Sequence, residues 1–166
     1  MTASRSAESS AAFKIVGNSK APILVVEDSD EDFEALSRVM KRNSILNPIF
    51  RCCDGEEALD FLEREGTYRD EAQAPRPSLI LLDLNLPGTD GREVLQHIKQ
   101  DNRLSAIPTV IFTTSANPKD LEFCYNNGAN SYLLKPLSLE KFQRSVRILI
   151  DYWFEAVTLM DGQSDR

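Results

Sequence analysis

Histidine and cysteine are scarce in this chain of 166 residues, which has one histidine, His97, and three cysteines, Cys52, Cys53 and Cys124. An odd number of thiols with two adjacent does not make a disulfide framework, and it suits a reducing compartment. Basic residues are also short, 19 against 26 acidic ones. The resulting net charge of −7 argues against a nucleic-acid surface, which needs clustered Lys and Arg. No apolar run approaches the roughly 20 residues of a membrane helix. The first twenty residues, MTASRSAESSAAFKIVGNSK, lack the apolar core of a secretory signal and read as a polar tail. The expectation is a cytoplasmic protein with no membrane contact. What is present is ordinary for a globular chain: 42% hydrophobic and 27% charged residues, enough for one domain with a real core and too few for two.

Strand and helix patterns alternate from residue 22 onward. Ile23 to Val26 is a short apolar run ending in Glu27-Asp28, and Phe33, Leu36 and Met40 follow at helical spacing. Ile49 to Cys53 reads as a second strand, and Asp54 with Glu57 as a capping box before Ala58 and Leu62. Leu79 to Leu82 is a third strand, with Asp90 and Glu93 repeating the capping pattern ahead of Val94, Leu95 and Ile98. Thr109 to Phe112 is a fourth strand. Asn117-Pro118 opens the next helix and Gly128 ends it. Tyr132 to Leu134 is the fifth strand, and a last helix runs from about Ser138 to about Thr158. Five strands alternating with five helices imply an α/β fold with a doubly wound, five-stranded parallel sheet. The expected organisation is a tail over 1–20, one domain over 21–160 with an extended last helix, and a short tail over 161–166. The connection Gly66 to Ser78 exceeds the usual two to six residues and reads as a tolerated surface insertion.

The stretch LILLDLNLPGTDG, residues 79 to 91, drives an apolar strand straight into Asp83. A carboxylate there is costly to desolvate unless something pairs with it. In a parallel α/β sheet, ligands bind at the carboxyl ends of the strands. Glu27 and Asp28 follow the first strand, Asp83 the third, Thr113 the fourth and Lys135 the fifth. Carboxylates this close repel, so the site asks for a cation. With oxygen ligands alone on offer, Mg²⁺ is expected over zinc. Such an assembly suits phosphoryl transfer to Asp83, with Lys135 as a second positive point and the Thr113 hydroxyl as a hydrogen-bond donor.

The segments ILVVEDSDED, LILLDLNLPGTDG, PTVIFTTSANPKD and NGANSYLLKPLSLEKF together resemble the receiver domain of bacterial response regulators, over residues 21 to about 150. That resemblance implies the flavodoxin-like receiver topology and a protein of two-component signalling that is not a conventional enzyme. It makes Asp83 the phosphoacceptor and Glu27 with Asp28 the acid pair, Glu27 standing where many members carry Asp. It implies that the backbone carbonyl of Asn85 joins Asp83 and the acid pair on Mg²⁺. Thr113 becomes the switch hydroxyl, Tyr132 the aromatic switch and Lys135 the family's cation, with a cis bond expected before Pro136. Thr114 stands where many members have Ala, which would slow access to Asp83.

The insertion and the tail LIDYWFEAVTLM are similar to the small regulators paired with cyanobacterial phytochrome histidine kinases. This implies a sensor histidine kinase, a phytochrome among the candidates, as partner. The alternatives are a relay intermediate that passes phosphate to a histidine phosphotransfer protein, and a receiver-like binding module that ignores phosphate. A haloacid-dehalogenase-like phosphatase needs a second acid two residues after the first, where this chain has Asn85. A flavin or nucleotide site would want glycines after the first strand, where VVEDSDED offers acids. Fewer than about 20 residues follow the last helix, too few for a DNA-recognition module. Along that helix Phe142, Val146, Leu149 and Trp153 suffice to cover the sheet. Ile148, Ile150, Tyr152, Phe154 and Val157 fall on other faces. A helix apolar nearly all round is expected to be buried twice, so a homodimer through Trp153 and Phe154 is expected.

Overall fold

The computed structural model describes residues 21–159, so the two polar tails of the sequence reading lie outside the described residues. Five strands, β1 (Ile23–Val26), β2 (Ile49–Cys52), β3 (Leu79–Leu82), β4 (Thr109–Thr113) and β5 (Ser131–Leu134), form one parallel sheet in the order β2-β1-β3-β4-β5. Between and after them run α1 (Asp30–Arg42), α2 (Gly55–Glu63), α3 (Gly91–Gln100), α4 (Pro118–Asn126) and α5 (Leu139–Ile150). The three central strands are buried along their length and apolar except for the threonines that end β4, as a sheet covered on both faces requires. Alternation splits their side chains between two cores. Ile23, Val25, Leu79, Leu81, Val110 and Phe112 meet α1 and α5, while Leu24, Val26, Ile80, Leu82 and Ile111 meet α2, α3 and α4.

Caps fix where the helices start. Ser29 Oγ accepts from the Asp32 amide, Asp54 from Glu57, Asp90 from Arg92 and Asn117 from Lys119. At α2 the Glu57 carboxylate reaches back to the Cys53 amide at 2.6 Å, in the manner of a capping box. Gly128, at φ +86°, takes the left-handed turn past the end of α4 that a side chain would resist. The 66–78 insertion is anchored to the body. Tyr68 donates to Glu57 at 2.6 Å and packs its ring edge-on to Phe61, Ala74 is buried, and Arg64 Nε donates to the Ala74 carbonyl.

The chain departs from the sequence reading at its end. The last helix does not continue regularly to about Thr158. It stops at Ile150 and widens into a π-helical turn over Asp151–Ala156, closed by Val157 N–H to Tyr152 O at 3.0 Å. The wide turn re-aims the aromatic run. Trp153 and Leu159 are buried, and Phe154 and Val157 pack on the core that α1 and α5 cover. Ile150 is buried in the same core, so much of the apolar surplus is absorbed by the domain itself. Ile148 and Tyr152 stay more than half exposed.

All three cysteines are free, and their settings differ. Cys53 is exposed. Burial pushes the Cys52 thiol far up and the Cys124 thiol up to about 11. Because the thiolate is the nucleophile, iodoacetamide at pH 8 should modify Cys53 first. Cys52 and Cys124 should react at least roughly a hundredfold more slowly until the chain is unfolded. Peptide mapping after timed quenching checks this; equal rates at the three positions would contradict the packing.

Candidate functional site

The register places the acids side by side. Val26 pairs with Leu82 across β1 and β3, so the next residues, Glu27 and Asp83, emerge together at the point where the strand order reverses. The Glu27 amide is held by the Cys52 carbonyl and the Asp83 amide by the Val26 carbonyl. On the other side the Lys135 amide bonds to the Thr113 carbonyl at 2.7 Å, which brings the ends of β4 and β5 to the same edge. A Cβ on Gly91 would stand 2.1 Å from the Asp83 carbonyl oxygen, and one on Gly55 equally close to that of Thr89. Glycine thus lets α3 begin directly against the backbone that carries Asp83. Alanine at position 91 should force that backbone to shift at about 1–3 kcal/mol, or roughly 2–12 °C in melting temperature, measurable by thermal denaturation. An unchanged melting curve would contradict the close approach.

The Lys135 ammonium, almost fully buried, donates to Glu27, to Asp83 at 2.9 Å and to Asp32 at 3.0 Å. Burial alone would lower its pKa, but the bonds to Glu27 and Asp83 outweigh that and hold it above the usual lysine value. Burial raises the Glu27 pKa despite the pull of Lys135 in the other direction. Glu27 also accepts from the Ser29 amide at 3.0 Å. Glu27, Asp28 and Asp83 each present a carboxylate oxygen, and these oxygens lie within 4.8 Å of one another. Three carboxylates, those of Glu27, Asp83 and Asp32, pair with one ammonium, and Asp28 adds a fourth beside Glu27 and Asp83. That donor set, all hard oxygen and short of positive charge, fits a divalent cation.

Each residue expected at the site is near it, with one correction. The Asn85 amide donates to Asp83 Oδ1 at 3.3 Å, and its side chain lies 3.5 Å from Thr114 Oγ1. Thr113 is fully buried, and its Oγ1 accepts from the Ser115 amide at 3.3 Å. The Tyr132 hydroxyl donates to the Ser115 carbonyl at 2.8 Å. Thr114 is exposed and Pro136 half-buried. The expected cis bond before Pro136 is absent: among the described residues every peptide bond is trans. Trans is the lower-energy isomer, and from it Lys135 already reaches three carboxylates, so the ion pairs do not require the other.

Two participants were not foreseen. Asp32 comes to Lys135 from the first turn of α1, a pairing more than a hundred residues apart in sequence. Arg51 on β2 donates to the carbonyls of Glu27 and Asp28 and to the Asp30 carboxylate, holding the acid pair's backbone. Nothing local in the sequence marks either contact, because both arise from the strand order.

Residues 23–147 match the family model of the response regulator receiver domain. The chain belongs to the response regulator receiver family. This receiver is 43% identical over 137 residues to response regulator Rcp1 of Synechocystis sp., covering 82% of this chain and 91% of Rcp1. It is also 43% identical over 132 residues to a probable methanogenesis regulatory protein, FilR2, of Methanothrix harundinacea, covering 79% and 82%. Among solved structures, the Mn²⁺-bound form of Rcp1 superposes with a TM-score of 0.80 at 42% identity, over 84% of this chain and 99% of Rcp1. The phosphorylated cyanobacterial phytochrome response regulator RcpA gives 0.79 at 37% identity, over 84% and 98%. Receiver domains bind a divalent metal and work with histidine kinases in two-component signalling, and the acidic cluster of this receiver is of that kind. Among the described residues no helix is long and apolar enough to cross a membrane.

Proposed function

We propose that this receiver takes a phosphoryl group from the phosphohistidine of a sensor histidine kinase onto Asp83. The observation that carries the reading is the Lys135 ammonium bridging Glu27 and Asp83 at the carboxyl ends of β1, β3 and β5. A carboxylate oxygen of Asp83 attacks phosphorus in line, the nitrogen–phosphorus bond of the donor breaks, and the imidazole leaves. Lys135 then pairs with a phosphoryl oxygen. The cation that fits is Mg²⁺: Glu27, Asp28, Asp83 and the Asn85 carbonyl would hold it, and it would neutralise charge on the phosphoryl oxygens. Apart from assisting this transfer and the hydrolysis that later releases inorganic phosphate from Asp83, the receiver is not an enzyme. Thr114, which shares its hydroxyl with Asn85, screens the mouth of the site and lengthens the life of the acyl phosphate.

The kinase is a phytochrome, a reading supported by the likeness to the cyanobacterial phytochrome response regulator RcpA. The two meet in the cytoplasm, a reading supported by three free thiols, which suit a reducing compartment. Phosphorylation adds roughly −1.5 to −2 charges and three acceptor oxygens, toward which Thr113 swings and releases Tyr132. The response reaches a homodimer surface on the exposed side of α5 and the turn beyond it. Trp153, expected on that surface, is buried and Phe154 half-buried, so the outward-facing residues there are Ile148 and Tyr152, the Tyr152 ring edge-on to Trp153.

The test is incubation with phosphorylated histidine kinases, a phytochrome kinase included, in Mg²⁺. Labelling should approach one phosphoryl group per chain, and Thr113→Ala should still be labelled yet lose the change in partner affinity that labelling causes. A receiver that no kinase labels would overturn the phosphoacceptor reading. An unchanged response in Thr113→Ala would overturn the coupling. Sedimentation equilibrium of the phosphorylated receiver and of Tyr152→Ala tests the dimer. A phosphorylated wild type that is monomeric at micromolar concentration, or a Tyr152→Ala variant that dimerises as well as wild type, would remove it.

A further inference from the structure

Beside the site runs a second polar network that the phosphotransfer reading does not use. Arg92, in the first turn of α3, forks onto Asp120 in the first turn of α4, with Nε to Oδ1 at 2.9 Å and Nη2 to Oδ2 at 2.6 Å. Its remaining nitrogen, Nη1, lies 2.9 Å from both oxygens of Asp90, the cap of α3. Asp120 Oδ2 also accepts from the Ser115 hydroxyl. The pair is well shielded, with the Asp120 side chain 14% and that of Arg92 27% exposed. The guanidinium and the Ser115 hydroxyl hold the Asp120 carboxyl below its usual range. A bidentate, partly desolvated arginine pair of this kind is geometrically specific.

Ser115 joins this network to the switch. Its amide donates to Thr113 Oγ1, its carbonyl accepts from the Tyr132 hydroxyl, and its own hydroxyl donates to Asp120. Both residues assigned to the switch therefore meet at one serine whose side chain the α3–α4 ion pair holds in place. Thr113 cannot turn its hydroxyl to a new acceptor near Asp83 without disturbing Ser115. Ser115 in turn cannot move without straining its bond to Asp120.

We infer that Arg92 and Asp120 form a latch across α3 and α4 that, through Ser115, positions Thr113 and Tyr132 in the resting arrangement and opposes the response to phosphorylation. This deepens the phosphoacceptor reading and rests on it. Arg92 and Asp120 are positioning residues, since neither touches Asp83 or Lys135. Removing the latch shifts the two-state equilibrium toward the responding form before any phosphoryl group arrives. By linkage, whatever binds that form then binds more tightly by up to the same factor.

The experiment uses the full chain with 3-fluorotyrosine in place of tyrosine and follows the Tyr132 ¹⁹F resonance, assigned by its loss in Tyr132→Phe. Beryllofluoride with Mg²⁺ serves as the phosphoryl mimic. In Arg92→Gln and in Asp120→Asn the mimic-free resonance should move part-way to the position it takes in mimic-saturated wild type. The apparent affinity for the mimic should rise roughly 3- to 10-fold. Arg92→Lys, which keeps the charge and loses the fork, should fall between. Ser115→Ala, which removes one hydroxyl and little else, should shift the resonance in the same direction. Resonance and affinity both at wild-type values in Arg92→Gln and Ser115→Ala, while wild type responds to the mimic, would overturn the latch alone. A wild type that ignores beryllofluoride, or an Asp83→Asn variant that responds equally, would overturn the phosphoacceptor reading and the latch with it.

Discussion

Asparagine at position 83 should bring phosphoryl transfer to this receiver down to background, roughly a thousandfold or more below wild type. An amide of the same shape keeps the local packing but has no carboxylate oxygen to attack phosphorus. The fold should survive, because the change removes one of the three carboxylates paired with Lys135 and leaves the ammonium with Glu27 and Asp32. Melting temperature is therefore expected to stay level or rise while labelling disappears. Chelation of divalent cations should give wild type a similar though smaller loss. A single like-charge contact at 4 Å is worth about 4 kcal/mol at an effective dielectric of 20, which is about three decades in rate. Radiolabel transfer measured beside thermal melts separates the two effects. Labelling of Asp83→Asn at the wild-type rate would contradict the assignment.

Lys135→Ala should produce the largest loss of stability of any single change near the site. It would leave Glu27 and Asp83 buried and facing each other with no counter-charge, and Asp32 without its partner. Breaking a buried ion pair from one side typically destabilises by about 3–5 kcal/mol. For a domain of this size that corresponds to roughly 6–20 °C in melting temperature. Saturating Mg²⁺ should return part of it, since a cation bound only by the folded state stabilises it by mass action. Urea denaturation with and without Mg²⁺ is the check. A loss below about 1 kcal/mol would show that Lys135 does not hold the acids together.

How much of this was legible beforehand follows from where the information lies in the chain. The strand ends could be read because β1, β3 and β4 are uninterrupted apolar runs, and the residue after such a run in a parallel sheet must face the ligand edge. Glu27, Asp28, Asp83 and Thr113 stand at such ends, and Lys135 follows the shorter apolar run of β5. Asp32, Arg51 and the pairing of Arg92 with Asp120 were not legible, because each depends on which elements become neighbours in space. The π-helical turn at Asp151–Ala156 escaped because widening a turn changes the aim of Trp153 and Phe154 without changing the residue types. The bond before Pro136, cis by the family resemblance, is trans here; the two isomers differ by only about 0.5–1 kcal/mol, too little for the neighbouring residues to decide.

The most direct test of the central claim is to locate the phosphoryl group. An acyl phosphate on aspartate is reduced by borohydride to homoserine, so the receiver is phosphorylated in Mg²⁺, reduced, digested and sequenced by mass spectrometry. The account predicts homoserine at position 83 and at no other acidic residue, and far less of it when the cation is chelated. Homoserine at Asp28 or Asp32, or a stable phosphoryl group on His97 in its place, would contradict it.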